Sequence, residues 1–96
     1  MKNLVISPKV EEKLSKKQPP VTRREVEQCF ENIAGGLLID KREKHKTNPP
    51  TLWFIARTNA DRELKVVYLL VDGIVHLKSS FDPDDEERRI YQRYGS

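Results

Sequence analysis

One cysteine, one methionine, one tryptophan and four glycines stand among 96 residues. A lone cysteine excludes a disulfide within the chain and a cysteine-based zinc site. No apolar run approaches the roughly 18 residues that a membrane span requires. The opening Met1-Lys-Asn-Leu-Val-Ile-Ser7 carries a charge but too short an apolar stretch for a secretion signal, so a cytoplasmic protein is expected. There is no internal repeat and no low-complexity segment. What the chain has is charge: 34% of its residues are charged against 36% apolar, which leaves one modest core under a densely charged surface. The length corresponds to a single domain over residues 1–96.

The charge is unevenly placed. Residues 1–81 carry a net +5 and residues 82–96 a net −2, for +3 overall. A basic body suits nucleic acid or an acidic protein partner, and an excess this small demands neither.

Local patterning divides the chain into eight elements. Asn3–Ile6 reads as a short strand. Ser7-Pro8 supplies a helix cap and a proline at the first helical position, and Val10 and Leu14 give that helix a thin apolar stripe. Lys16-Lys17 close it, and Pro19-Pro20 prevent its continuation. Thr22-Arg-Arg-Glu25 is a capping box, followed by Val26, Cys29, Phe30 and Ile33 at i, i+3, i+4 and i+7, with Gly35-Gly36 ending the second helix. Cys29 lies on that stripe and is expected to be buried and inert. Leu37–Asp40 and Thr51–Thr58 read as strands either side of a loop from Lys41 to Pro50. After a turn at Asn59–Arg62, Glu63–Val71 is the most apolar run and the expected central strand. Asp72-Gly73 signals a hairpin into Ile74–Phe81. Asp82-Pro83 starts a last helix, with four carboxylates on the positive end of its dipole and Ile90, Tyr91 and Tyr94 as its sticky face. The expected class is α+β, in the order β-α-α-β-β-β-β-α, with a mainly antiparallel sheet and the helices on one face. The other face is left for a ligand or partner, with the acidic last helix as a partial cover for it.

The stretch Asp40-Lys-Arg42-Glu-Lys44-His45-Lys46-Thr-Asn-Pro-Pro-Thr-Leu-Trp53-Phe54 is the most informative in the chain. It joins cations and one group that titrates near neutral pH to a rigid aromatic strand, which suits a polyanion such as RNA. RNA cleavage by 2′-hydroxyl attack needs a proton-transfer group and cations around the phosphate, and needs no metal. His45 is the candidate acid or base. Arg42, Lys65 and Lys78 are the candidate catalytic cations, and Arg62, Lys44, Lys46, His76 and Trp53 the candidate RNA contacts. Each has a plainer reading: a solvated loop for 41–46, turn solvation for Arg62, a solvated strand face for His76. A lysine inside a central strand, Lys65, needs a paired or solvent-facing site. Alternation places His76, Lys78 and Ser80 on one sheet face and Val75, Leu77 and Ser79 on the other. Trp53 and Phe54 point to opposite faces, so one is expected to enter the core fully and the other to stack on a base or pack on a helix. Tyr91 and Tyr94 offer a phenol to catalysis or dock the last helix. Glu43, His45 and His76 fit no standard metal spacing.

Leu64-Lys-Val-Val-Tyr-Leu69, Asp72-Gly73, His76-Leu-Lys-Ser-Ser80 and Glu87-Arg-Arg-Ile-Tyr91, with the element order, resemble the BrnT-like branch of the RelE/ParE superfamily of small bacterial toxins. Arg42 to Phe54 is similar to a motif of small bacterial proteins often labelled ADP-ribosyl-dinitrogen-reductase hydrolase. That activity belongs to large all-helical proteins with a two-metal carboxylate site, whose length and motif this chain lacks. BrnT-like chains tend to carry Ser-Ala-Arg where Lys78-Ser79-Ser80 stands, and ribosome-dependent relatives have a more basic C-terminus. The resemblance implies a RelE-like fold and a metal-independent endoribonuclease toxin without cofactor, acting on RNA and held by a cognate antitoxin. A non-catalytic module binding protein or nucleic acid on the same scaffold is the alternative, and the sequence does not set the oligomeric state.

Overall fold

The computed structural model describes residues 1–40 and 49–95. The described elements are β1 (Leu4–Val5), α1 (Pro8–Ser15), α2 (Arg23–Glu31), β2 (Leu38–Ile39), β3 (Leu52–Arg57), β4 (Glu63–Val71), β5 (Ile74–Phe81) and α3 (Asp85–Tyr94). They form the expected α+β class, with three helices and one five-stranded sheet. The strand order is β1-β5-β4-β3-β2, so the apolar Glu63–Val71 run is the middle strand. Every neighbouring pair is antiparallel except β1 with β5, which is parallel.

Short-range chemistry sets most boundaries. Ser7 Oγ accepts from the Val10 N–H at 3.3 Å and starts α1 at Pro8. Thr22 and Glu25 exchange the two bonds of a capping box at 3.1 and 3.2 Å. A second box starts α3 two residues later than the Asp82-Pro83 signal. The Asp84 carboxylate accepts from the Glu87 N–H at 2.8 Å, and the Glu87 carboxylate accepts from the Asp84 N–H at 3.0 Å. The β4–β5 turn has positive φ at both Asp72 (51°) and Gly73 (78°), as a two-residue type I′ hairpin requires.

α2 ends at Glu31, four residues before the Gly35-Gly36 pair. Asn32 stops it, its amide donating to Arg57 O and to Asn59 Oδ1, both at 2.9 Å. The glycines serve α3 instead. A Cβ on Gly35 would meet Gly95 O at 2.6 Å and Tyr91 Oη at 2.8 Å, so only glycine allows that approach. The Gly36 N–H donates to Gly95 O, and Gly36 O accepts from the Tyr91 hydroxyl at 2.8 Å.

The helices do not share one face: this corrects the expectation of one helical layer and agrees with the last helix as a partial cover of the other face. Phe30 of α2 packs its ring on Phe54 and Tyr68, with centroids 5.0 and 5.2 Å away. Tyr91 of α3 packs on Trp53 at 5.9 Å. Trp53 and Phe54 are adjacent on β3 and point oppositely, so α2 and α3 lie on opposite sides of the sheet. Phe54 is therefore fully buried in the core, and Trp53, 7% exposed, is buried by packing on α3, the helix-packing role expected of the second aromatic.

The β5 faces are also corrected. Pairing with β4 jumps from Val67–Ser79 to Tyr68–Leu77, so Lys78 is the extra residue of a bulge. Alternation breaks there. Ser80 pairs with Val66 and is fully buried on the α2 side, whereas Ser79 pairs with Val67 on the other.

Cys29 is fully buried and directs its thiol at Ala56 O, 3.8 Å away. Burial, with a smaller push from the Glu25 carboxylate, raises the thiol from 9.0 to about 11. The unfolded chain therefore ionises first as pH rises, and stability is lost from about pH 9 upward. Urea titrations at stepped pH should show a fall of roughly 2 kcal/mol by pH 11 from this group. Tyr68 and Tyr91 are raised by burial in the same direction, so the thiol part is the slope that Cys29→Ala removes. Ellman's reagent should leave the native thiol untouched at pH 8 and titrate it in urea.

Candidate functional site

The sheet face under α3 holds a concavity among the described residues. A groove of about 820 Å³ runs between α3 and the β2–β3 edge. Its apolar lining is Leu38, Ile39, Trp53, Ile90 and Tyr94, and its charged lining is Asp40, Lys65, Asp84, Glu86 and Glu87. A second hollow of about 630 Å³ is lined, among the described residues, by α3 side chains.

Two expected site residues meet here. Lys65 Nζ lies 4.4 Å from the Trp53 ring centroid and 5.6 Å from that of Phe81. The same ammonium pairs with Glu87 at 2.6 Å, and its side chain is 9% exposed. Lys65 thus has the paired site that a mid-strand lysine needs, supplied by the helix that covers it. Trp53 is held between this cation and Tyr91, so its ring face is taken up within the fold rather than presented to a base.

Arg62 does not line the groove. Its guanidinium donates to Pro19 O and Pro20 O, each at 2.8 Å, and pairs with Asp82 at 2.7 Å and Glu25 at 3.3 Å. Burial opposes its charge, but Asp82 and Glu25 outweigh that and hold it above its ordinary range. The side chain is 15% exposed and ties the Pro19-Pro20 segment, the start of α2 and the end of β5 together. His76 is half-buried on β5, opposite Val5 of β1 and Leu69 of β4, outside the groove lining. Lys78 is exposed at the bulge. Arg42, Lys44, His45 and Lys46 lie outside the described residues. The neck of their segment is described: the Asp40 N–H donates to Thr51 O at 2.8 Å, and Asp40 and Trp53 both line the groove.

Comparison of the chain with family models, curated proteins and solved structures returns no match. The site is read from its own chemistry.

Among the described lining residues Lys65 and Glu87 cancel, and Glu86 and Asp84 leave the groove mouth acidic. The α3 dipole, about half a positive charge at its N-terminus, offsets only part of this. Sequence patterning does not reveal Ile39, Asp40 and the acidic start of α3 as partners across one groove. The one available signal is Ile90 with Tyr94, four apart on α3, yet only Tyr91 of that apolar trio is buried. Among the described residues, no group of His, Cys, Asp and Glu is arranged to hold a metal ion, and no helix is long and apolar enough to cross a membrane.

Proposed function

We propose that this chain is a RelE-like domain of the BrnT type that works as a binding module, gripping a partner protein in the groove between β2–β3 and α3. The element order and the Glu87-Arg-Arg-Ile-Tyr91 helix support the scaffold assignment. One observation carries the functional reading. Lys65 and Arg62 are tied down inside the fold, while the groove's described lining is apolar within and acidic at its mouth. Phosphates are repelled by such a mouth, and a protein segment is not. In the terms of the resemblance, the partner is a cognate antitoxin. The product of an adjacent gene, if it is a short ribbon-helix-helix or similar regulator, should copurify on coexpression. Copurification should persist in His45→Ala and fail in Ile90→Glu. Loss in His45→Ala with retention in Ile90→Glu would place the grip on the 41–48 segment instead.

Metal-independent RNA cleavage is the second reading, favoured by the closed neck that joins the Arg42–Lys46 stretch to the groove wall. In it His45 transfers the proton and Arg42, Lys44, Lys46 and the exposed Lys78 supply positive charge. Wild type should then cut total RNA in EDTA and arrest growth on expression, and His45→Ala should do neither. Intact RNA with the wild-type protein removes this reading.

A further inference from the structure

We infer that the occupant of the groove is a basic, partly aliphatic segment of the partner. This deepens the binding-module reading and rests on it. The floor sets the first requirement. Leu38 and Ile90 offer apolar surface above the edge of the buried Trp53, and the rim adds Ile39 and Tyr94, which are 51% and 66% exposed. Side chains that size left open to water at the edge of a concavity mark a place where apolar atoms from elsewhere can be buried.

The mouth sets the second requirement. Glu86 is exposed, and Asp84 and Glu87 stand beside it on the first turn of α3 and its cap. Among the described lining residues the one cation, Lys65, already belongs to Glu87. A lysine or arginine entering from solvent meets the carboxylates of Glu86 and Asp84, whereas a phosphate or an acidic side chain is repelled by them. The β4–β5 hairpin end offers a contrasting surface. Val5, Val71 and Ile74 are exposed there without a comparable group of carboxylates, so nothing selects the charge of a partner.

The test uses the full chain, isotopically labelled, with amide shifts and the emission of the sole tryptophan, Trp53, as readouts. The probes are a 12-residue peptide alternating Lys and Leu, its Glu–Leu counterpart and a 12-nucleotide single-stranded RNA. The Lys–Leu peptide should move the amides of Leu38, Ile39 and Ile90 and shift Trp53 emission. The Glu–Leu peptide should bind at least tenfold more weakly. Glu86→Lys should weaken the Lys–Leu peptide about fivefold, and added salt should weaken it further. Equal binding of both peptides overturns the inference, as do shifts confined to Val5 and Ile74. Shifts that arise from raising protein concentration alone also overturn it, by making a second copy the occupant. A partner protein held in the groove when neither peptide binds defeats the inference and leaves the binding module standing. Groove shifts from the RNA alone defeat both.

Discussion

Phe54→Ala should lower the unfolding free energy by about 3–5 kcal/mol, measured by urea denaturation. Phe54 is fully buried on the α2 side of β3 and makes edge-to-face contacts with Phe30 at 5.0 Å and Tyr68 at 6.2 Å. Truncation loses the transfer free energy of the ring and leaves a cavity that three elements line, because Phe30 is on α2 and Tyr68 on β4. A domain this size has about 5–15 kcal/mol in total, so the variant should sit at the edge of stability. Tyr94→Ala is the control. Its side chain is two-thirds exposed, and its loss should stay within about 0.5 kcal/mol. A Phe54→Ala loss below about 1 kcal/mol would mean that α2 and the sheet are not closely packed.

Glu87→Gln should cost about 2–3 kcal/mol on the opposite face. Glutamine retains the side-chain oxygen that accepts from the Asp84 N–H, so the α3 cap survives. What it removes is the charge 2.6 Å from Lys65 Nζ. The ammonium then sits nearly out of water against Trp53 and Phe81 with no counter-ion. Lys65→Met should cost only about 1 kcal/mol, because Glu87 is partly exposed and remains at the favourable end of a helix dipole. The double variant Lys65→Met/Glu87→Gln should unfold close to Lys65→Met alone. That non-additivity, read as a double-mutant cycle, is the signature of an uncompensated buried charge. Additive losses would show that the pair contributes little and that Lys65 reaches water by another route.

Elements governed by neighbours in the chain are legible in the order of residues. The Thr22–Glu25 box needs only four consecutive residues, and so does the Asp72-Gly73 turn. The apolar run at Glu63–Val71 marks the central strand because both of its faces are covered, one by α2 and the other in part by α3. The end of α2 is illegible for the opposite reason. Asn32 stops the helix by reaching the end of β3 and the turn after it, partners 25 and 27 residues away, while the obvious glycine signal serves α3.

The candidate site is less legible. Patterning singles out Lys65 as a lysine that needs a partner, but not that Glu87 provides it from 22 residues away. It marks Arg62 as a cation near a turn, but not that two proline carbonyls and two carboxylates surround it. Lys78 reads as a regular strand position, and only its pairing with β4 makes it a bulge.

Residue order alone is enough for the α+β class, the starts of the first two helices, the hairpin and the burial of Cys29, because caps, turns and amphipathic periods act over a few residues. Packing in three dimensions is what carries α3 to the far side of the sheet. Once there, its carboxylates neutralise Lys65, its Tyr91 closes over Trp53, and the space left beside β2 becomes an acidic-mouthed groove. Charge on a side chain is written in its residue type, but whether that charge faces a ligand or an internal partner depends on which distant element packs against it.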